Sequence, residues 1–280
     1  MEDFSQFLSL LASTVRLSVP LILCALAGLF AERAGVVDIG LEGKMLAGAV
    51  AAGTAAALSG SAWVGLIAAI AVSVVFALIH AFACVTHRGN QVVSGMALNV
   101  LAVGLTAVLA FAWFREGGQT PALQGAARFA PLQLPFAETL AGVPILGAIY
   151  ARLISGHNAL VYVTLAIIPL VAFTIFRTRF GLRLRAVGEN PHAVDTAGIS
   201  VAWLRYRAML CCGVLCGVAG SYLATAMASA FQREMTAGKG FLALAALIFG
   251  KWMPVPAVLA CLLFAFADAL QGRLQGVALP

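Results

Sequence analysis

Charge is what this sequence has least of. Only 10% of its 280 residues are Asp, Glu, Lys or Arg, where a soluble domain carries roughly 25%. Hydrophobic residues make up 62% and the mean hydropathy is +1.00, which excludes an ordinary soluble globule and points to a protein embedded in lipid. The parts from which catalysis is built are also missing. No glycine-rich loop ends in the Lys-Ser/Thr pair that cradles nucleotide phosphates, and no Gly-x-Ser-x-Gly elbow presents a nucleophile. Gly238-Lys239-Gly240 is the nearest approach to a phosphate loop, and it lacks both the third glycine and a preceding strand. The four histidines (His80, His87, His157 and His192) are scattered without ligand spacing. The six cysteines, at 24, 84, 211, 212, 216 and 261, all sit inside apolar runs. That placement lacks the polar-flanked pairs of a zinc site, so the cysteines read as small buried hydrophobes and no metal is expected. The chain is therefore not expected to be an enzyme or to bind a cofactor of its own.

Seven apolar stretches approach the roughly 20 residues that a helix needs to cross the hydrocarbon core. They are Thr14–Ala31, Leu41–Leu58, Ala62–Val85, Val92–Phe114, Asn158–Phe176, Leu204–Ala230 and Pro254–Leu270. A shorter piece, Gly240 to Gly250, is too brief to cross alone. The start, Met1-Glu2-Asp3, is acidic where a secretory signal carries positive charge, so the first run is expected to stay as a span. The fold class that follows is an all-α, polytopic membrane helix bundle of about seven to nine spans or half-spans, some interrupted. A single transmembrane domain over residues 1–280 is expected.

What charge there is lies in one place. Between Arg177 and Arg207 fall six of the 17 Lys and Arg residues, against Glu189 and Asp195. Short loops rich in Lys and Arg stay in the cytoplasm, so this loop orients the chain. The net charge of +6 thus reflects topology, and no nucleic-acid partner is expected. Residues 87–90 and the Glu32–Lys44 region then fall inside, and residues 115–157 form an extracytoplasmic loop whose apolar piece, Val143–Ala151, fits the interface. Trp63 and Trp113 take the outer ends of spans, where aromatic belts form. Within the basic loop, Asn190 is a good N-cap, Pro191 fits the first helical position and Gly198 a C-terminal stop. A short helix on the inner face is a docking element.

Two regions break the uniform apolar pattern. Glu32, Arg33, Asp38, Glu42 and Lys44 cluster at the start of a Gly/Ala-rich span, and Met235–Gly250 opens on Gly238 and Gly240 before Phe241. Gly-interrupted segments in corresponding positions of two halves mark a transport path, and irregular backbone at membrane depth must be buried or line a wet cavity. Glu42 either faces such a lumen or pairs with Arg33 at a span's cytoplasmic end. The small-residue stripe Gly43, Ala47, Gly48, Ala51, Ala52 fits close helix packing on either reading. Asn99, the strongly polar side chain within Val92–Phe114, is an interhelical hydrogen-bonding group or a solute contact. Asp268 is expected to pair Arg273 or meet the inner interface.

Taken together, RAGVVDIGLEGKMLAGA, RLRAVGENPHAVDTAGISV and GKGFLALAALIFGKWMPVPAVLACLLFAFADALQ resemble the permeases of ABC importers for simple sugars and nucleosides, with LIFGKWMP and LFAFADALQ nearest the nucleoside type. The resemblance spans Leu17 to Gln275. It implies a multi-pass subunit of a bacterial inner membrane, driven by cytoplasmic ATPase subunits that bind the ATP and magnesium. It also implies a second permease half, forming a heterodimer, an extracytoplasmic substrate-binding protein and membrane lipid. Gly188, Glu189, Asn190, Pro191, His192, Ala193 and Gly198 then belong to the ATPase-coupling helix. Asp38, Glu42, Asn99, Gly238, Gly240 and Phe241 belong to the translocation path of a nucleoside or small sugar. Asp38 stands where such permeases usually carry Asn, Gln91 where Glu is common, and Lys239 is unusual in its element. The competing reading from residues alone is a secondary transporter using Glu42 or Asp38 for protons or sodium.

Overall fold

The structure is a computed structural model describing residues 2–115, 117–133 and 149–275, with side chains from Phe4 onward and excluding those of Ala151 and Arg152. The expected piece Val143–Ala151 lies largely outside the described residues, as does the chain beyond Gln275. Ten α-helices appear among the described residues: α1 Glu2–Arg33, α2 Leu41–Ser59, α3 Ala62–Ala81, α4 Gln91–Phe114, α5 Ala159–Arg177, α6 Arg179–Glu189, α7 Pro191–Thr196, α8 Val201–Tyr222, α9 Lys239–Phe249 and α10 Pro254–Leu274. Helices α3 and α8 each widen into a final π turn, Phe82–Thr86 and Leu223–Met227. Six helical segments among the described residues are long and apolar enough to cross a membrane. With α2 and the half-length α9 they make up the all-α polytopic bundle.

Burial separates an inner layer from an outer one. The most apolar stretches of α1 and α8 are 72% and 83% buried, against 28% for α4, 28% for α5 and 22% for α10. Helix α2 is not among those six segments because it carries Glu42, Lys44 and many glycines and alanines, yet most of it is buried. It sits in the middle, packed on α3, α8, α4 and α9. Small residues permit this. A Cβ on Gly220 of α8 would lie 2.4 Å from the Met45 carbonyl oxygen, and one on Gly217 would lie 2.6 Å from Ile70 Cα. Backbones this close gain dispersion contacts that bulkier residues forbid. The stripe expected on α2 does pack this way, with Gly43 on α4 and Gly48 on Gly217. The glycines of α8 are its uncounted partners.

Pro20 lies inside α1, and its ring nitrogen leaves the Arg16 carbonyl without a helical donor. The Tyr222 hydroxyl of α8 supplies that donor at 2.9 Å. Tyr222→Phe is therefore expected to lower stability by about 1 kcal/mol, the cost of a lost bond and an orphaned, partly buried acceptor. Thermal melting of the solubilised chain measures this, and an unchanged melting curve would show that the bond contributes nothing.

The basic loop is more structured than the sequence suggests. The short helix appears where expected, as α7, with the Asn190 side chain accepting from the Ala193 N–H at 3.1 Å and Gly198 at φ 76° ending it. Helix α6 before it was not anticipated. Thr178 caps it through the Gly181 N–H, and Phe180, Leu184 and Val187 turn one face onto the bundle.

At the opposite end, residues 120–132 are tied down. Thr120 N–H donates to the Phe231 carbonyl, Leu123 N–H to Ser229, and Phe129 N–H to Thr225. Edge-on contact between Phe129 and Trp63, centroids 5.1 Å apart, fixes the same segment to α3. Arg273 is bonded to the Gln6 carbonyl at 2.7 Å, and Asp268 is exposed on α10. The expected Asp268–Arg273 pair is therefore absent. Both residues belong to the end where α1 begins, because α10 runs antiparallel to α1.

Candidate functional site

Neither chain segment flanking the site is helical. After α1 the chain does not leave the bundle. Residues 34–40 turn inward and start α2 beside Gly95 and Asn99 of α4, roughly 6–12 Å along α4 at 1.5 Å per residue. From the other side, the chain after α8 descends through Phe231, fully buried against Gly53, and reaches α9 only at Lys239. The eleven residues of α9 span about 16 Å, half of a crossing, so the helix begins within the bundle.

Glu42 joins these two interruptions. Its carboxylate accepts from the Gly238 N–H at 2.9 Å and the Gly240 N–H at 2.6 Å. The first N–H groups of a helix have no internal partner and carry partial positive charge, so an ionised carboxylate caps them well. This overturns the Glu42–Arg33 pairing. Arg33 instead donates twice to the Trp252 carbonyl, at 3.2 and 2.7 Å. Asn99 caps α2 in the same manner, accepting from the Gly43 N–H at 2.8 Å and donating to the Ile39 carbonyl at 3.0 Å. Of the two roles open to Asn99, the interhelical one is realised, with one amide hydrogen left over.

Asp38 and Lys44 lie behind this layer. They form an ion pair with both side chains at 0% exposure, so Lys44 does not mark a solvent-facing span end. Asp38 also accepts from the Cys212 thiol at 3.2 Å and from the Gly40 N–H at 3.1 Å. His80 lies 3.9 Å away, with Nε2 on the Val37 carbonyl and Nδ1 on the Ser94 hydroxyl. Two buried charges persist only when paired and further hydrogen-bonded, and both conditions hold here. The cysteines are all free, five of them buried. For Cys212 the reading as a mere hydrophobe is incomplete, since its thiol is part of this network.

A cleft of about 530 Å³ opens where α2, α4 and the start of α9 meet. Four of the residues singled out in the sequence line it, namely Glu42, Asn99, Gly238 and Phe241. Gly240 is buried beneath, against Glu42, and Asp38 is sealed in its ion pair. Glu234 and Thr236 line the cleft as well and were missed. Glu234 precedes the glycines in a turn with φ 54°, and nothing in its neighbourhood reads as a motif. The coupling-loop residues gather at the end of the bundle away from α1's start. There Gly188 and Glu189 join Glu32, Arg33, Arg185 and Lys251 around a recess of about 210 Å³. Pro191, His192 and Ala193 are exposed or half-buried on α7 beyond it. At the far end a third cleft, about 770 Å³, is bordered by Arg16, Arg128 and His157. Burial holds His157 below the usual histidine range.

The model for the family described as branched-chain amino acid transport system / permease component matches residues 10–278. Among curated proteins, the guanosine ABC transporter permease protein NupQ of Bacillus subtilis is 39% identical over 96% of this chain and 83% of its own length. The nucleoside ABC transporter permease protein NupC of Lactococcus lactis is 37% identical over 96% of this chain and 84% of its length. The putative glucose ABC transporter permease protein TsgC13 of Haloferax volcanii is 35% identical, covering 96% and 79%. No solved structure matches.

Proposed function

This chain belongs to the branched-chain amino acid transport system / permease component family, and on that premise we propose that its cargo is a nucleoside or small sugar, a nucleoside fitting best. It is a multi-pass permease subunit of the plasma membrane, part of an ABC transport system and not itself an enzyme. The observation that carries the cargo reading is the match along 96% of the chain to permeases named for guanosine and nucleosides.

The cleft agrees in its chemistry. Its polar groups are the carboxylates of Glu42 and Glu234, the Thr236 hydroxyl and the spare amide hydrogen of Asn99, and its walls are Leu46, Val100, Val103 and the ring of Phe241. Such a lining suits a neutral solute with a flat ring and several O–H and N–H donors. Two carboxylates without a lining cation disfavour an anion. Because Glu42 already occupies the α9 terminus, that terminus does not serve as an anion site. Proteoliposomes holding the complete complex test the cargo. ATP-dependent guanosine uptake, weakly competed by glucose, is expected. Uptake that needs no ATPase and collapses with a protonophore would overturn the reading.

The α6–α7 end faces the cytoplasm in this proposal, and the residues from Gly188 to Gly198 seat in ATPase subunits that bind the ATP and magnesium. A second permease half packs against the exposed apolar side, and an extracytoplasmic binding protein delivers the solute to the far end. Asn190 and Pro191 set the entry of α7 and Gly198 its exit, so the helix stands as a short rigid lever. Glu189→Ala removes an exposed charge beside it, and Gly198→Trp forces a bulky side chain into a left-handed conformation costing about 1–2 kcal/mol. Each is expected to reduce cargo-stimulated ATP hydrolysis at least tenfold while membrane insertion is unchanged. Normal stimulation in the reconstituted complex would reject the docking assignment.

A further inference from the structure

Helix α9 forms one wall of the cleft, and both of its ends are gripped by the stretch of chain that touches the coupling loop. We infer that Arg33 and residues 34–42 form a linkage that moves α9 together with the α6–α7 loop, making α9 the driven gate of the cleft. The inference rests on the proposed role of that loop as the site where the ATPase acts.

The contact between loop and linkage is direct. A Cβ on Gly188 would lie 2.4 Å from the Arg33 carbonyl oxygen, and one on Gly35 would lie 3.4 Å from Gly188 Cα. Arg205, on the first turns of α8, donates to the Ala34 carbonyl at 3.1 Å. Backbone packed against backbone transmits displacement, because neither side has a flexible side chain to absorb it.

Two routes run from there to α9. The short one is the Arg33 guanidinium, whose paired bonds to the Trp252 carbonyl hold the turn after α9. Lys251 and Trp252 both take positive φ in that turn, 51° and 53°, a conformation disfavoured for non-glycine residues that Arg33 helps to maintain. The long route passes along residues 37–42. Val37 N–H is held by the Gln91 side chain at 2.6 Å, Ile39 by Asn99, and Asp38 by Lys44. It ends at the Glu42 carboxylate on Gly238 and Gly240. With a bond at each end, α9 tilts or slides when the linkage does, and the cleft wall at Gly238 and Phe241 goes with it.

Arg33 is thus a positioning residue that touches no cargo, and its loss should uncouple the machine. In the reconstituted complex, Arg33→Gln is expected to keep at least half of the ATP hydrolysis rate while cargo uptake falls at least tenfold, raising the ATP spent per solute. Arg33→Lys, which retains one donor, should recover part of the uptake. Spin labels at Val108 on α4 and Phe249 on α9, both outward-facing, report the motion in a chain with Arg33 intact. Their separation should change on ATP binding, and Arg33→Gln should suppress that change. Uptake and hydrolysis falling in parallel, or an ATP-invariant separation in the labelled chain, would overturn the inference. Uptake without any dependence on ATP hydrolysis would instead refute the proposed function beneath it.

Discussion

Lys44→Met is expected to yield a chain that inserts poorly and cannot be recovered folded from the membrane. The substitution leaves the Asp38 carboxylate at 0% exposure facing the Cys212 thiol, the Gly40 N–H and, 3.9 Å away, the His80 Nε2 that already lies on the Val37 carbonyl. Breaking a buried pair by removing one partner costs about 3–5 kcal/mol, against a total stability of about 5–15 kcal/mol for a typical native protein. The pair itself is a weak source of net stability, because desolvating both charges offsets most of their attraction. The double variant Asp38→Asn with Lys44→Met should therefore recover most of what the single variant loses. Gel filtration and thermal melting of the solubilised chain read both effects. A single variant as stable as the parent would mean that the charge finds water, and the sealed site described above would be wrong.

Gly240→Ala is expected to abolish transport, while Gly238→Ala two residues away should be mild. The contrast is physical. A Cβ at Gly240 would lie 2.5 Å from Glu42 N and 2.6 Å from Glu42 Cα, backbone that cannot step aside, whereas a Cβ at Gly238 meets nothing within 4 Å. Gly238 has φ 79°, so alanine there suffers only the left-handed penalty of about 1–2 kcal/mol. Alanine at Gly240 pushes α9 off α2 and strains both hydrogen bonds to the Glu42 carboxylate, each worth about 1.5–3 kcal/mol as a charge-assisted bond. Surface expression should survive in both variants, since α9 is short and follows spans already inserted. Equal uptake by the two would show that the contact between Glu42 and α9 is not needed for the transport cycle.

These two sites differ in how far the sequence announces them. The glycines at 238 and 240 stand out as an interruption before Phe241, and Glu42 stands out as a charge in an apolar run. Their union across 196 positions is invisible, because no local pattern says which carboxylate meets which helix terminus. The same limit produced the error over Arg33, a nearby opposite charge that in fact reaches across to Trp252. The pairing of Asp38, read as a path residue, with Lys44 was not legible because its depth depends on residues 34–40 turning inward, and only packing against α4 and α8 makes them do so. Helix α6 was a different failure, since its Thr178 cap and the Phe180, Leu184, Val187 face were legible but were overshadowed by the basic charges around them.

The sequence by itself determined the all-α class, the approximate limits of most spans, the small helix at Pro191–Thr196 and the family. These follow from local quantities: the length of apolar runs, cap residues, the scarcity of charge, and motifs that survive in order along the chain. The tertiary structure alone decided that α2, despite its two charged residues, stands at the centre, that Glu42 caps α9, and that Lys44 is sealed with Asp38. Those depend on which backbones approach within a few ångströms and on where water is absent. Hydropathy measures the tendency of a residue to leave water, and it carries no information about the partner that receives it.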